Sequence, residues 1–378
     1  MSTASSEIAP KPKKRLKFID MARSIAILLM LEGHFIDDSL MLEVRDPGNI
    51  FYSTWWYIRG FTAPVFLTVT GLIFVFLLLK QRDKPLFQNI RIKKGLKRVV
   101  ELFFWGWLLQ WYAFHVLECI AVGIFTILLI YVIYKLVRFI PLWVYFFIAG
   151  FICFAGYLYL RELPKGLPWP ENAWYFVQNA FHGPGNRAIF PILPWMGYTM
   201  FGAMIGAIIH DLHKQVLRLY FPLIFIFVGA AFLFFSTEIL GALDSFIDLF
   251  WASFKYKLIG LNWLYERLGM VFIELGFLMI IDKFLGDKLS SNSLFLKVGQ
   301  NTLTIYIIHM MILYGSVIGI GINDFYHKKL GPWEAAIGAA LFITTFVILI
   351  KYLDWIKLKL SFILDPIKKL FERIFFIR

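Results

Sequence analysis

The first hydrophobic stretch of the chain, residues 20–38, places the strongest constraint on the possible fold. It follows a basic run and is long enough to cross a bilayer. Besides the closing Asp38, it carries five ionisable side chains: Asp20, Arg23, Glu32, His34 and Asp37. Such groups are costly inside a membrane, and they face a bundle interior or a wet cavity rather than lipid. The stretch therefore predicts a helix that other helices surround.

Helical geometry places four of these side chains on one face, because a helix turns about 100° per residue. They are Asp20, Arg23, His34 and Asp37, whereas Glu32 lies opposite. Arg23 and His34 are three turns apart, roughly 16 Å along the axis. The Asp37 carboxylate, one turn beyond His34, is placed to fix the imidazole tautomer and stabilise an imidazolium. His34 is therefore a candidate general base that Asp37 orients.

A simpler interpretation of the same helix is that Arg23 snorkels to the interface and that the acids are interfacial. This accounts well for Asp20 and Asp38. It accounts poorly for His34 and Asp37 on a shared face, because ionisable groups at membrane depth are rare and usually functional.

Long apolar runs recur along the rest of the chain, which is 60% apolar and 19% aromatic over 378 residues. This composition is far outside that of a soluble domain. It predicts an all-α, polytopic membrane protein with about ten transmembrane helices in one bundle. The predicted spans are residues 20–41, 55–79, 99–116, 117–135, 139–160, 190–209, 219–238, 261–281, 301–320 and 333–353.

The segments between these spans carry further expectations. Residues 80–98 are expected to form a basic loop, and residues 241–257 a short interfacial helix. The sixth span contains Gly197, Gly202 and Gly206, whose spacing favours close helix packing.

Three parts of the chain follow from this organisation. Residues 1–14 are expected to be a disordered cytoplasmic N-terminus, residues 15–353 one transmembrane domain, and residues 354–378 a basic amphipathic cytoplasmic tail. Most of the 38 lysines and arginines lie near the termini or in loops on the same side of the spans. The positive-inside rule therefore places both termini in the cytoplasm. We expect a multi-pass protein of the cell membrane, with the bilayer and no nucleic acid as a partner.

Other polar residues allow two interpretations. The basic cluster at 91–98 is explained by topology alone, or it holds phosphate groups. Arg59 either anchors the second span at the interface or contributes to a site. His309 is equally consistent with an interhelical hydrogen bond and with a functional role. His182, in an outer loop, lines an acceptor mouth or has no role.

Some motifs and residues limit the possible chemistry. His115 and Glu118 fall at a tight turn between two spans, where we expect a solvated turn. The chain has no Walker loop, no GxSxG, no HExxH and no Cys/His metal spacing. We therefore expect neither ATP hydrolysis nor a bound metal.

Several stretches resemble motifs of the transmembrane acyltransferase superfamily. Arg23, ten intervening residues and His34 are similar to the Arg-x10-His pattern of the acyltransferase-3 proteins. Residues 18–26 and 58–71 resemble the opening and the second span of the superfamily. Residues 190–206 resemble the heparan-α-glucosaminide N-acetyltransferase branch, and residues 299–309 are similar to a late-helix motif of both branches. The order and spacing of these motifs, over about 17–310, carry the resemblance.

This resemblance implies an acyl-CoA-dependent O- or N-acyltransferase. Such an enzyme moves an acyl group, often acetyl, from cytoplasmic acyl-CoA to a glycan or glycolipid outside the membrane. It implies His34 as the catalytic histidine and Arg23 on the donor side. With it, we expect Lys93, Lys94 and Arg98 to hold the CoA phosphates. The expected acceptor-side residues are Asp38, Arg59, His182 and His309.

The two branches differ at the candidate base. The heparan-type enzymes carry Asn where His34 stands and place their catalytic histidine further along, whereas this chain has no histidine between His34 and His115. The chemistry therefore resembles the acyltransferase-3 pattern more closely. The rival interpretation is a transporter or flippase whose intramembrane His, Asp and Arg relay protons or a solute. The ionisable groups concentrate on one helix and the sequence has no inverted repeat, which disfavours that alternative.

Overall fold

The architecture is helical throughout the residues that the structure describes. It is a computed structural model, and it describes residues 16–111, 113–161, 180–181, 189–216, 218–251, 255–290, 292–361 and residue 366. The first six helices are α1 (Lys17–Ser39), α2 (Ile50–Arg59), α3 (Thr62–Leu79), α4 (Ile90–Leu109), α5 (Val116–Leu136) and α6 (Leu142–Arg161). The remaining helices are α7 (Ile192–Asp211), α8 (Tyr220–Phe250), α9 (Asn262–Leu285), α10 (Leu294–Gln300), α11 (Thr302–Tyr314), α12 (Ile322–Tyr326) and α13 (Pro332–Lys359). No β-strand occurs in these ranges, so the all-α prediction is confirmed.

Among the described residues, six helical segments are long and apolar enough to cross a membrane. They are Ile50–Leu79, Val116–Leu136, Leu142–Arg161, Ile192–Asp211, Tyr220–Phe250 and Pro332–Lys359. Helices α1, α4, α9 and α11 occupy other predicted spans, but α1 carries more charge and α11 has only 13 residues. A membrane protein is therefore supported, whereas the count of ten spans and the side of the termini stay predictions.

Two helix boundaries differ from the prediction near the basic loop and the expected interfacial helix. Helix α4 begins at Ile90, because the Asn89 side chain accepts a hydrogen bond from the Arg91 amide and caps it. The second half of the expected loop at 80–98 is therefore helical. Helix α8 runs to Phe250 with a kink at Phe235, so the helical segment after the kink covers the first part of the helix expected at 241–257 but begins and ends before it.

Two further boundaries lie near the end of the chain. Helix α11 ends at Tyr314, several residues before the predicted end of its span. Helix α13 continues to Lys359, so the expected tail begins as an extension of the last span. The expected disordered N-terminus and most of the tail lie outside the described residues.

Helix α1 lies among the other helices, as the polar stripe predicts. It contacts α3, α9, α10, α11 and α13. The Ser24 hydroxyl accepts a hydrogen bond from the Gly299 amide at 2.9 Å, and the Phe18 amide donates to Asp282 at 3.1 Å. Hydrogen bonds between helices satisfy polar groups that lipid could not.

Close packing between α3 and α7 depends on small residues. A Cβ atom at Gly202 would lie 1.9 Å from the Thr68 carbonyl oxygen, and one at Gly206 would lie 2.4 Å from the Leu72 carbonyl oxygen. Side chains there would push the two backbones apart. The close packing predicted from these glycines is confirmed.

Candidate active site

A cavity of about 440 Å³ lies beside the C-terminal half of α1. We call it the larger cavity. Its walls come mainly from α1, α3, α5, α7, α9 and α11, and most of its surface is apolar or aromatic. The polar side chains on its wall are His34, Arg59, Thr62, Gln110, His115, Arg267, Tyr306 and Tyr314. An apolar cavity with a few converging polar groups is the usual form of a small-molecule site.

A second cavity of about 180 Å³ lies beside the N-terminal half of α1. We call it the smaller cavity. Its polar side chains are Arg23, Thr70, Arg98, Thr302 and Tyr306. Phe66 and Tyr306 line both cavities, so the two cavities adjoin at these rings, which we call the partition.

The structure brings Arg23 and Arg98 to the same cavity, although 75 positions separate them in the sequence. Arg23 donates to the Thr302 hydroxyl at 3.0 Å, and its guanidinium lies 3.9 Å from Asp20. Arg98 pairs with Glu101 at 2.9 Å. Each cavity thus has two guanidiniums on its wall, because Arg59 and Arg267 line the larger one.

The other predicted donor-side residues lie elsewhere. Lys93 and Lys94 are exposed on the first turns of α4 and do not line the smaller cavity. Lys94 shares the helix face of Arg98 but lies one turn nearer the helix start, and Lys93 lies on a different face. Their expected contact with a bound donor stays a prediction that this arrangement does not favour.

His34 lies on the wall of the larger cavity, half-buried. Its Nδ1 atom lies 2.7 Å from the Tyr314 hydroxyl. Its Nε2 atom has no hydrogen-bond partner among the described residues. The ring that the sequence places on the polar face of α1 therefore presents one nitrogen to a tyrosine and leaves the other available.

Asp37 does not make the contact with His34 that the sequence argument assigns to it. Its carboxylate pairs with Arg59 at 2.9 Å and with Arg45 at 3.2 Å. Two guanidiniums compete successfully for the carboxylate because each supplies charge-assisted hydrogen bonds. The orienting hydrogen bond expected from Asp37 is made instead by Tyr314.

Asp38 lies beside the Tyr314 hydroxyl at the end of α1. Its Oδ2 atom is buried and has no hydrogen-bond partner within the described part of the chain. The backbone carbonyl of Asp38 accepts from the Lys328 amide at 2.9 Å, and the Lys328 ammonium donates to the Asp37 carbonyl. Burial and the nearby Arg45 lower the pKa of the Lys328 ammonium.

His309 is fully buried on α11 behind His34. The two imidazole centroids are 5.4 Å apart, and the His309 and Tyr306 centroids are 4.9 Å apart. Neither ring nitrogen of His309 has a hydrogen-bond partner in the described residues. The ring packs against the candidate base but does not line the larger cavity, so its expected contact with an acceptor stays a prediction.

Arginines and tryptophans meet at the end of the larger cavity near α2 and α9. The Arg59 guanidinium lies 5.3 Å from the Trp56 ring centroid, and that of Arg267 lies 5.5 Å from the Trp263 centroid. Arg267 also donates to the Gly60 carbonyl. Arg59 is thus both paired with Asp37 and part of the cavity wall, so the interface-anchor interpretation alone is too simple.

The solvated turn expected at His115 and Glu118 is wrong. His115 is 2% exposed and Glu118 is fully buried. His115 Nε2 lies 3.1 Å from the Gly106 carbonyl oxygen, and its Nδ1 accepts from the Leu117 amide at 3.3 Å. The imidazole therefore caps α5 while one edge lines the larger cavity.

Comparison with known proteins identifies the family of the chain. The sequence profile of the family described as Heparan-alpha-glucosaminide N-acetyltransferase, catalytic, matches residues 15–254. The chain belongs to this family. The resemblance to membrane acyltransferases is therefore confirmed, and within it the matching branch is the heparan-type one. A comparison with curated protein sequences finds no significant match.

The heparan-α-glucosaminide N-acetyltransferase match covers α1 to α8 and so includes His34, Arg23 and Arg98. Residues after 254 also contribute to the cavities, through α9 and α11. The predicted acceptor residue His182 lies outside the described residues.

Sequence reasoning missed Tyr306, Tyr314 and Arg267, which all line the larger cavity. Tyr306 had a signal, because it precedes His309 by one helical turn in the late-helix motif. Arg267 had a weaker sequence signal, because it is a cationic residue beside an apolar run. Tyr314 had none, because a tyrosine near the end of an apolar helix is commonplace at a membrane interface.

Proposed function

We propose that the chain is a membrane-bound acyltransferase that moves an acyl group, in the simplest case acetyl, from cytoplasmic acyl-CoA to an acceptor outside the membrane. The acceptor is a hydroxyl or amine of a glycan or glycolipid. One observation carries the proposal: the cavity that Arg23 and Arg98 line adjoins the cavity of His34 at the rings of Phe66 and Tyr306. Family membership supports the reaction class.

The smaller cavity suits the donor. Guanidinium groups bind phosphates in a bidentate geometry, and Arg23 and Arg98 supply two of them. The remaining wall is largely apolar and narrow, which suits the extended arm of an acyl-CoA. Bound acyl-CoA would supply an activated thioester, and its acyl end would reach the partition at Phe66 and Tyr306.

The larger cavity suits the acceptor and the base. His34 Nε2 would take the proton of the acceptor hydroxyl or amine as the new bond to the acyl carbon forms. The carbon–sulfur bond breaks, and CoA leaves as its thiolate. Trp56 and Trp195 on the cavity wall offer aromatic faces to a sugar ring. The volume of about 440 Å³ leaves room for a saccharide next to the imidazole.

The test is release of CoA thiol by purified protein in lipid nanodiscs. Acetyl-CoA is supplied alone and then with a panel of amino- and hydroxy-glycans, and acylated product is measured by mass spectrometry. We expect thiol release that depends on one class of glycan and yields one acylated product per thiol. Absence of acylated product with every acceptor, together with uptake of a solute into proteoliposomes, would favour the transporter alternative instead.

A further inference from the structure

We propose that Tyr314 and Asp38 are positioning residues for His34. In this arrangement the Tyr314 hydroxyl donates to the Asp38 carboxylate and accepts from the protonated Nδ1 of His34, so Nε2 is left unprotonated. The inference rests on the proposed function only in taking His34 as the base. The orienting role that the sequence assigns to Asp37 thereby passes to Tyr314 and Asp38, a pairing that the sequence does not reveal.

The first support is the geometry at His34. The distance of 2.7 Å between Nδ1 and the Tyr314 hydroxyl is that of a good hydrogen bond. The two ring planes are nearly perpendicular, at 89°, so the tyrosine meets the imidazole through its hydroxyl rather than by stacking. Tyr314 therefore touches the nitrogen that faces away from a substrate on Nε2.

The second support is the helix end that delivers the tyrosine. Tyr314 is the last residue of α11, and Gly315 follows it with φ 67°, in the left-handed region. The Gly315 amide donates back to the Met310 carbonyl and closes the helix. A residue with a side chain is strained at this φ, so Gly315 ends the helix at the position where the hydroxyl meets α1.

The direction of the hydrogen bonds follows from the proton count. A tyrosine hydroxyl has one proton to donate, and it also accepts. The Asp38 carboxyl lies beside it with a buried, unpartnered Oδ2 atom, and a carboxylate is a stronger acceptor than a neutral imidazole nitrogen. The hydroxyl proton therefore goes to Asp38, and His34 must supply the Nδ1 proton.

Neighbouring groups hold Asp38 in place for this role. Asp37 is engaged by Arg45 and Arg59 and is not available to Tyr314. The Lys328 amide binds the Asp38 carbonyl, and the Leu330 amide binds the next carbonyl, that of Ser39, at 2.9 Å. The main chain at the end of α1 is therefore fixed from outside the helix, at the residue that carries this carboxyl.

A spectroscopic experiment tests the tautomer without any assay of activity. Protein carrying ¹⁵N-labelled histidine is studied in nanodiscs by long-range ¹H–¹⁵N correlation NMR, and the His34 signal is assigned by its loss in His34→Gln. We expect a neutral imidazole with Nδ1 protonated. Tyr314→Phe should shift this signal toward the mixed tautomers of a free imidazole, and Asp38→Asn should shift it part of the way.

Tyr145→Phe is the matched control, because its hydroxyl donates to the Val137 carbonyl, away from both cavities. It should leave the His34 signal unchanged. A wild-type His34 with Nε2 protonated would overturn the inference. So would a Tyr314→Phe signal identical to that of wild type in a protein that retains its fold.

Kinetics provide the second readout. Loss of a general base typically costs about 10²- to 10⁴-fold, and Tyr314→Phe should lower kcat by less than this because it removes only the partner that orients the base. The KM for acyl-CoA should stay within about twofold of wild type, because the donor lies across the partition. An active wild type with an equally active Tyr314→Phe overturns this inference, whereas an inactive wild type overturns the proposed function.

Discussion

The two cavities beside α1 differ in the chemistry that each concentrates. The smaller cavity holds the guanidiniums of Arg23 and Arg98, whereas the larger one holds those of Arg59 and Arg267 together with His34 and a set of aromatic rings. Among the described residues, only Phe66 and Tyr306 line both. The cavities differ in their imidazoles and aromatic rings and not in their number of arginines, and the proposed function assigns the donor to the smaller cavity and the base to the larger one. Changes in the two cavities should therefore affect different kinetic parameters.

The largest effect is expected from His34→Ala. Loss of a general base typically costs about 10²- to 10⁴-fold in rate. We expect that loss in kcat, measured as acylated product, with acyl-CoA binding nearly unchanged. His213→Ala removes an exposed histidine and should behave as wild type. Transfer by His34→Ala at a normal rate would contradict the base assignment and make His309 the next candidate.

A large effect on the KM for acyl-CoA is expected from Arg23→Gln combined with Arg98→Gln. A charged hydrogen bond contributes about 1.5–3 kcal/mol, and each 1.4 kcal/mol is about tenfold in affinity. The KM for acyl-CoA should therefore rise at least about tenfold, while kcat at saturation falls much less.

Arg82→Gln is the control for this pair. Arg82 is exposed and pairs with Asp211 at 2.9 Å, so its loss removes one positive charge without altering either cavity. If the double variant changes kcat and leaves KM alone, the smaller cavity is not the donor site.

A smaller effect is expected from Phe66→Ala, which removes one ring of the partition. A wider opening should accept a bulkier acyl group, and one methylene typically changes discrimination by about 1–3 kcal/mol. We expect the rate with butyryl-CoA to rise several-fold relative to that with acetyl-CoA. The ratio of the two rates is the measurement, so a general loss of activity does not obscure it. An unchanged ratio would mean that the acyl group does not pass between the rings.

The smallest effect is expected from Lys93→Gln combined with Lys94→Gln. Both ammonium groups are exposed, and solvent and salt screen exposed charges. The KM for acyl-CoA should remain within about twofold of wild type. A rise as large as that of the arginine pair would extend the donor site along the surface of α4, as the sequence analysis expects.

The sequence was sufficient for features that depend on local pattern. Hydropathy predicted the long helices, and the spacing of Arg23 and His34 predicted that one face of α1 lines the interior. Glycine spacing predicted that α7 packs closely against another helix, and the structure identifies that helix as α3, through Gly202. Each of these depends on residues within a few turns of one another, where helical geometry determines the arrangement.

The side chains that contact the site residues could not be predicted from the sequence. Tyr314 lies 280 positions from His34, and helical periodicity says nothing about contacts across that separation. Arg45 and Arg59 capture Asp37 because the segment between α1 and α2 folds back on the helix end. The burial of His115 depends on α11, which packs over the turn that the residue occupies.

The main-chain hydrogen bonds at the end of α1 bear on how much of the chain a functional fragment needs. The Met41 amide donates to the Leu330 carbonyl, and the Leu330 amide donates to the Ser39 carbonyl, each at 2.9 Å. The family match stops at residue 254. A protein truncated at residue 254 would keep His34 but lose the main-chain hydrogen bonds that hold the end of α1 in place. We therefore expect a truncated protein to need the chain through at least Leu330, well beyond the part that the family match covers.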